Sequence, residues 1–268
     1  MAPTVLITGA SQGIGRSTAL FFAQKGYDLV LAAREPDRLN AVAQEIRAKG
    51  RDVLAVPTDV THPQQVNTLV ERALAAHGHI DVLVNNAGIC SSGPMEKTSL
   101  DDWHKIIDVN LWGYIHTIDA LLPQFLARQA GTIVNVGSFG GKVPLPYMTA
   151  YCTSKYAVTG LTETLRLELE PKGIQVCGVH PGVTNTAFLE RSIFRGQNDQ
   201  ETNERRQQME QMRDGAFASQ PEEVAQAIWN VVKHPQAEVV VGNAAVATAT
   251  YRFAPGLMNW ILQRTMKA

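Results

Sequence analysis

Cysteine is scarce in this chain. It occurs three times, at Cys90, Cys152 and Cys177, an odd number with no CxxC pair. That usage argues against a disulfide framework or a zinc site and suits a reducing compartment. Excess charge is absent too: 24 Lys and Arg face 25 Asp and Glu, a formal net charge of −1. Without a basic run or stripe, a nucleic-acid partner is not expected. No stretch approaches the roughly 18 unbroken apolar residues of a spanning helix. The N-terminus shows no charged leader, apolar h-region or cleavage signal, so the expected location is cytoplasmic. Linkers, low-complexity tracts and solenoid repeats are also missing. A chain of 268 residues can bury a substantial core, and residues 1–268 are read as a single domain.

Short β-branched runs alternate with helical patterns. Strands are expected at 4–8, 28–33, 52–57, 80–85, 132–136, 174–179 and 238–241. Helices are expected at 13–25, 36–49, 63–77, 100–126, 149–169 and 222–233. Continuous apolar strands such as Val5-Leu6-Ile7 and Val82-Leu83-Val84 belong to a parallel sheet covered on both faces. The expected class is therefore α/β: a Rossmann-type doubly wound parallel sheet of about seven strands with helices on both faces. Two regions break the rhythm. Residues 187–215, read as a variable substrate-loop region, pass from an apolar cluster to a strongly charged run, and 243–268, read as a C-terminal extension, carry Arg252, Arg264 and Lys267 with no acidic residue.

The sequence TGASQGIG at 8–15 fills the turn between the first strand and first helix. Gly9, Gly13 and Gly15, with Ser11, Gln12 and Ile14 between them, let backbone approach a dinucleotide phosphate at a helix N-terminus. The spacing is GxxxGxG, and a glycine-rich turn taken alone can be merely a turn. The second strand ends Ala33-Arg34 with no carboxylate at its tip. An arginine there accommodates a ribose 2′-phosphate, which favours NADP(H) with Arg34 as main contact. Arg38 is a weaker candidate whose alternative is a solvated helix face, and Glu35, one residue late, keeps NAD(H) open. Further along, Tyr151 and Lys155 are four apart on a predicted helix and share a face. A neighbouring cation favours the phenolate by about 1–3 pKa units, bringing a phenol into range for proton exchange.

With these motifs in place, the chain resembles the short-chain dehydrogenase/reductase family in its single-domain form. The ordered set is TGASQGIG, Asp59-Val60, Asn85-Asn86-Ala87-Gly88, Asn110, Ser138, YCTSK at 151–155, and Pro181-Gly182 with Thr184 and Thr186. It covers residues 4–242. The resemblance implies Tyr151 as general acid in reduction and base in oxidation, with Lys155 binding the nicotinamide ribose and lowering the phenol's pKa. It implies that Ser138 hydrogen-bonds the substrate oxygen and that Asn110 holds a relay water. Asp59 and Val60 would contact adenine, Asn86, Ala87 and Gly88 the adenosine side, and Pro181, Gly182, Val183, Thr184 and Thr186 the nicotinamide side. Gln12 stands where NADP-preferring relatives often carry a basic residue. The family also implies a homodimer or homotetramer through the two long helices.

The substrate walls are read at 89–95, 139–148 and 183–194, with Phe139, Leu145, Tyr147 and Phe188 as substrate contacts beside Ser138 and Tyr151. Their apolar character suggests an apolar or lipid-like carbonyl or alcohol. Lys142, Arg191 and Arg195 are the cations available to an anionic one. Residues 255–266 place Leu257, Met258, Ile261 and Leu262 at helical spacing. Such a segment can touch a membrane surface, although packing over the pocket or against another subunit is the favoured expectation. Two other readings stay open: a non-catalytic nucleotide-sensing protein, and a nucleotide-sugar epimerase or dehydratase, which usually needs a larger C-terminal region.

Overall fold

The computed structural model describes residues 2–215 and 218–265; the side chains of Ile261 and Leu262 lie outside the described residues. The first half alternates strand and helix: β1 (Thr4–Thr8), α1 (Gly13–Gln24), β2 (Asp28–Ala33), α2 (Pro36–Ala48), β3 (Val53–Pro57), α3 (Pro63–His77) and β4 (Val82–Asn85). A two-residue strand β5 (Ser91–Ser92) precedes α4 (Leu100–Ile107), α5 (Gly113–Arg128), β6 (Gly131–Val136), α6 (Thr149–Leu169) and β7 (Ile174–Pro181). The remainder comprises β8 (Ile193–Phe194), α7 (Asp199–Asp214), α8 (Pro221–Lys233), β9 (Glu238–Val241), α9 (Ala244–Phe253) and α10 (Pro255–Thr265).

Seven strands form one parallel sheet in the order β3-β2-β1-β4-β6-β7-β9. Successive residues of each strand point to opposite faces, so each continuous apolar run feeds two cores. On one face Val5, Ile7, Leu29 and Leu31 pack with Phe22, Ile46 and Ile228 from α1, α2 and α8. On the other, Leu6, Val30 and Leu83 pack with Leu69, Leu121, Phe125 and Leu169 from α3, α5 and α6. The winding reverses where β1 lies between β2 and β4, which opens a crevice at the carboxyl ends of the strands.

The helix expected over 100–126 is not continuous. Ser99 caps α4 through a capping box with Asp102, and residues Asp108–Trp112 then widen into a single π turn before α5 begins. The widened turn buries Asn110 completely, a device frequent at functional sites. Helix α7 arises in the charged region, where no apolar stripe announced it. Asn198 caps it by accepting from Glu201 N at 2.9 Å, and Arg205–Glu201 and Gln200–Glu204 pairs run along it. The short strands β5 and β8 pair in parallel and tether this segment to the scaffold. Among the described residues no helix is long and apolar enough to cross a membrane.

Candidate active site

The glycine turn is built for close approach. Gly9 has φ +66°, and a Cβ there would lie 2.9 Å from Ala87 Cα. A Cβ at Gly15 would lie 2.2 Å from the Gly9 carbonyl oxygen, so only glycine lets α1 begin against β1. Across the switch point, Asn86 Nδ2 donates to the Thr8 carbonyl at 2.9 Å, while Thr8 Oγ1 accepts from the amides of Asn86 (3.0 Å) and Ala87 (3.1 Å). These bonds pin the tips of β1 and β4 side by side. Gln12 precedes α1 without capping it, and no acidic residue occupies the first turn. The helix therefore offers amide donors and partial positive charge to an anion. The cradle fits a dinucleotide phosphate.

The same crevice, about 770 Å³, is lined by Ser138, Tyr151 and Lys155. Helix α6 presents the tyrosine and lysine on one face, and both are buried. Lys155 Nζ donates to the Val136 carbonyl at 3.0 Å, and Tyr114 donates its hydroxyl to the same oxygen at 2.9 Å. The ammonium lies 5.3 Å from the Tyr114 ring centroid, where the ring face attracts a cation. Burial depresses Lys155 to about 8. Ser138 follows β6 and caps a short turn, its Oγ accepting from Gly140 N at 3.1 Å, so the turn role of this serine coexists with its place in the crevice lining.

One expected effect is reversed. The Tyr151 phenol is pushed above its ordinary range, first by burial and further by Cys90 and Cys152, with Ser138 hydrogen bonding acting in the opposite direction. Desolvation of the phenolate outweighs the lowering expected from the ammonium. Asn110 is fixed by its own side chain. Its Nδ2 donates to the Ile89 carbonyl (2.9 Å) and Ser154 Oγ (3.0 Å), and its Oδ1 accepts from Ile89 N (2.9 Å). Ser154 in turn donates to the Tyr151 carbonyl at 2.6 Å. The side-chain amide is thus committed to holding α6 and the β4–β5 segment in place.

Most of the remaining expected residues meet in this crevice. Ser11, Gln12, Gly13, Ile14, Arg34, Asp59, Val60, Asn86, Ala87 and Gly88 line it, as do Pro181, Gly182, Val183, Thr184 and Thr186, and Phe139, Leu145, Tyr147 and Phe188. Gly15, Arg38 and Asn110 do not line it. Arg38 turns to Gln12, Glu35 and Glu190, because these acceptors surround its guanidinium. Glu35 is held by Arg191 and Arg38, and Lys142 pairs with Glu163 and Glu238. Arg195 makes two bonds of 2.9 and 2.8 Å to the buried Asp102. Cys90 is pushed up to about 12 and Cys152 is raised, both chiefly by burial, so each remains a thiol.

Sequence reasoning read 187–215 as a variable substrate loop but did not foresee the helix in it or which of its residues face the crevice. Glu201, Glu204, Arg205, Gln208, Met209 and Met212 of α7 also line the crevice. The Arg205 guanidinium sits 4.0 Å from the Tyr147 ring centroid, and Tyr147 adopts φ +61° while its carbonyl accepts from Gly93 N at 2.7 Å. The available signal was the cap Asn198 followed by Glu201 and Arg205 at helical spacing.

Residues 3–196 match the family model described as short chain dehydrogenase. An uncharacterized oxidoreductase of Bacillus subtilis, YxnA, is 31% identical over 98% of this chain and 72% of its own. The 3-oxoacyl-[acyl-carrier-protein] reductase FabG of Staphylococcus epidermidis is 38% identical over 68% of this chain and 75% of its own. Among solved structures, a short-chain dehydrogenase/reductase from Burkholderia phymatum in complex with NAD superposes with a TM-score of 0.87 at 30% identity, covering 94% and 93% of the two chains. A metagenomic short-chain oxidoreductase in complex with NADP gives 0.73 at 29% identity, covering 89% and 96%.

Proposed function

This chain belongs to the short-chain dehydrogenase/reductase family, and we propose that it is an NADP(H)-dependent reductase of apolar, lipid-like ketones or aldehydes, reversible toward secondary alcohols. The observation that carries the reading is the lining of one crevice by both the glycine cradle and the Ser138, Tyr151 and Lys155 side chains. A scaffold that only sensed nucleotides would have no need for those three beside the cradle.

When bound, the nicotinamide supplies or accepts hydride. The chain's own groups handle the oxygen. Ser138 donates to the substrate oxygen and stabilises the charge that builds there. Tyr151 delivers the proton in reduction. Burial favours its protonated form, and an alkoxide is basic enough to take that proton. Lys155 holds the nicotinamide-side ribose and restores the phenol's proton. Asn110, anchored by its side-chain amide, holds a water in the relay connected to Lys155.

NADP(H) is favoured because Arg34, just past β2, lines the crevice while Glu35 is engaged by Arg191 and Arg38. The apolar substrate class follows from Phe139, Leu145, Met148, Phe188, Met209 and Met212. The guanidiniums nearby are paired, Arg205 with Glu201, Arg213 with Asp214 and Arg191 with Glu35, so an anionic substrate finds no open partner among them. Exposed Leu100, Trp112, Leu126 and Leu167 on the α4–α6 side suit a homodimer or homotetramer, and the setting proposed for it is cytoplasmic.

The test is NADPH oxidation against a panel of aldehydes and ketones. Long apolar carbonyls should be the best substrates, and Tyr151→Phe should lose at least about a hundredfold in kcat. Small polar hydroxy acids as the best substrates, or full activity in Tyr151→Phe, would overturn the reading.

A further inference from the structure

The hairpin α9–α10 does not cover the crevice, whose described lining ends at Arg213. It leaves β9 at the carboxyl edge of the sheet, where a Cβ on Gly182 would lie 3.1 Å from Ala244 Cβ. The hairpin therefore starts beside the crevice without contributing to its described lining. Four of its exposed side chains are large and apolar: Val246 is 73% exposed, Phe253 83%, Leu257 52% and Trp260 51%. Val246 and Phe253 are seven apart on α9, and Leu257 and Trp260 three apart on α10, so each pair shares a helix face. Arg264 lies one turn beyond Trp260, with its guanidinium 3.9 Å from the indole centroid. Residues 243–268 contain Arg252, Arg264 and Lys267 and no Asp or Glu.

We infer that this hairpin is a peripheral docking surface for an anionic lipid bilayer. Exposed aromatic and aliphatic side chains bordered by basic residues, with no acidic group, match the boundary between acyl chains and acidic headgroups. A Trp–Arg stack suits that boundary, with the ring at headgroup level and the cation beside a phosphate. A second copy of this chain is the poorer occupant. A two-fold contact sets the same patch against itself, which brings basic residues together with no acid from this segment to meet them. Docking here sets the mouth of the crevice near the bilayer surface.

The test is flotation of the full chain with vesicles of phosphatidylcholine alone and of phosphatidylcholine with about one-third phosphatidylserine. Binding should be at least about tenfold tighter on the anionic vesicles and should weaken as salt rises. The double variant Phe253→Asp/Leu257→Asp should stop floating, and Arg264→Glu should lose the preference for phosphatidylserine. Both should keep the wild-type circular dichroism and NADPH affinity, since none of these residues touches the crevice. The inference is overturned if wild type ignores both vesicle types. It is also overturned if the double variant floats normally, or if its only effect is to dissociate an oligomer on sizing. Flotation requires no turnover, so failure here leaves the reductase reading standing, and an inactive protein that floats leaves this one standing.

Discussion

Arg34 stands exposed at the carboxyl tip of β2, lines the crevice, and makes no hydrogen bond or ion pair among the described residues. If it receives the 2′-phosphate of NADP(H), Arg34→Asp removes a charge-assisted contact worth about 1.5–3 kcal/mol. Exposure places the effect at the lower end, because water and salt screen the pair. About 1.5 kcal/mol is roughly tenfold in a rate ratio. The introduced carboxylate also repels the phosphate and offers the unphosphorylated ribose an acceptor, so tenfold is a minimum. Glu35 is tied to Arg191 and Arg38 and does not compensate. The assay is kcat/KM for NADPH and NADH with one good carbonyl substrate. The ratio should fall at least about tenfold in Arg34→Asp and change less than about threefold in Arg38→Ala, whose guanidinium is already engaged. A ratio within about twofold of wild type in Arg34→Asp would refute the reasoning.

Gly15→Ala places a methyl 2.2 Å from the Gly9 carbonyl oxygen, and backbone on both sides must move. A loss of about 1–3 kcal/mol in stability is expected, together with weakened NADPH binding; unchanged Tm and unchanged Kd by fluorescence titration would contradict the close-packing account. Lys155 gives a pH signature in the free protein. Burial lowers it from 10.5 to about 8, so between those values the unfolded chain binds more protons than the folded one. Its contribution to stability is therefore a cost below pH 8 that is relieved as pH rises toward 10.5, on the order of 3 kcal/mol in all. Thermal melts of wild type and Lys155→Met should show the wild type gaining on the variant across that window, and a constant difference would refute the depressed value.

The scaffold was legible because a sheet covered on both faces demands uninterrupted apolar strands, and few other folds do. Val5 to Ile7 and Leu29 to Leu31 declare themselves without any knowledge of partners. The cofactor turn was legible for a similar reason, since Gly9 and Gly15 answer a local steric demand. What escaped depends on distant contacts. The π turn at Asn110 interrupts no sequence pattern, and its purpose appears only with Ile89 and Ser154 in place. Arg38 turned from the crevice because Glu190, 152 residues away, arrives beside it. The direction in which Tyr151 shifts is fixed by how much water is excluded, which residue spacing does not encode.

Helix α7 contributes no buried residue of its own, yet it closes one side of the crevice. Its hold on the body runs through Arg205 on Tyr147, Arg206 on Phe194 and Met209 against the cluster of Cys90, Tyr151 and Cys152. Positions along it other than these three can therefore be exchanged at little thermodynamic risk to the sheet beneath. Selection can retune which molecules are admitted by rewriting this one helix, while the machinery that handles hydride and proton stays untouched below.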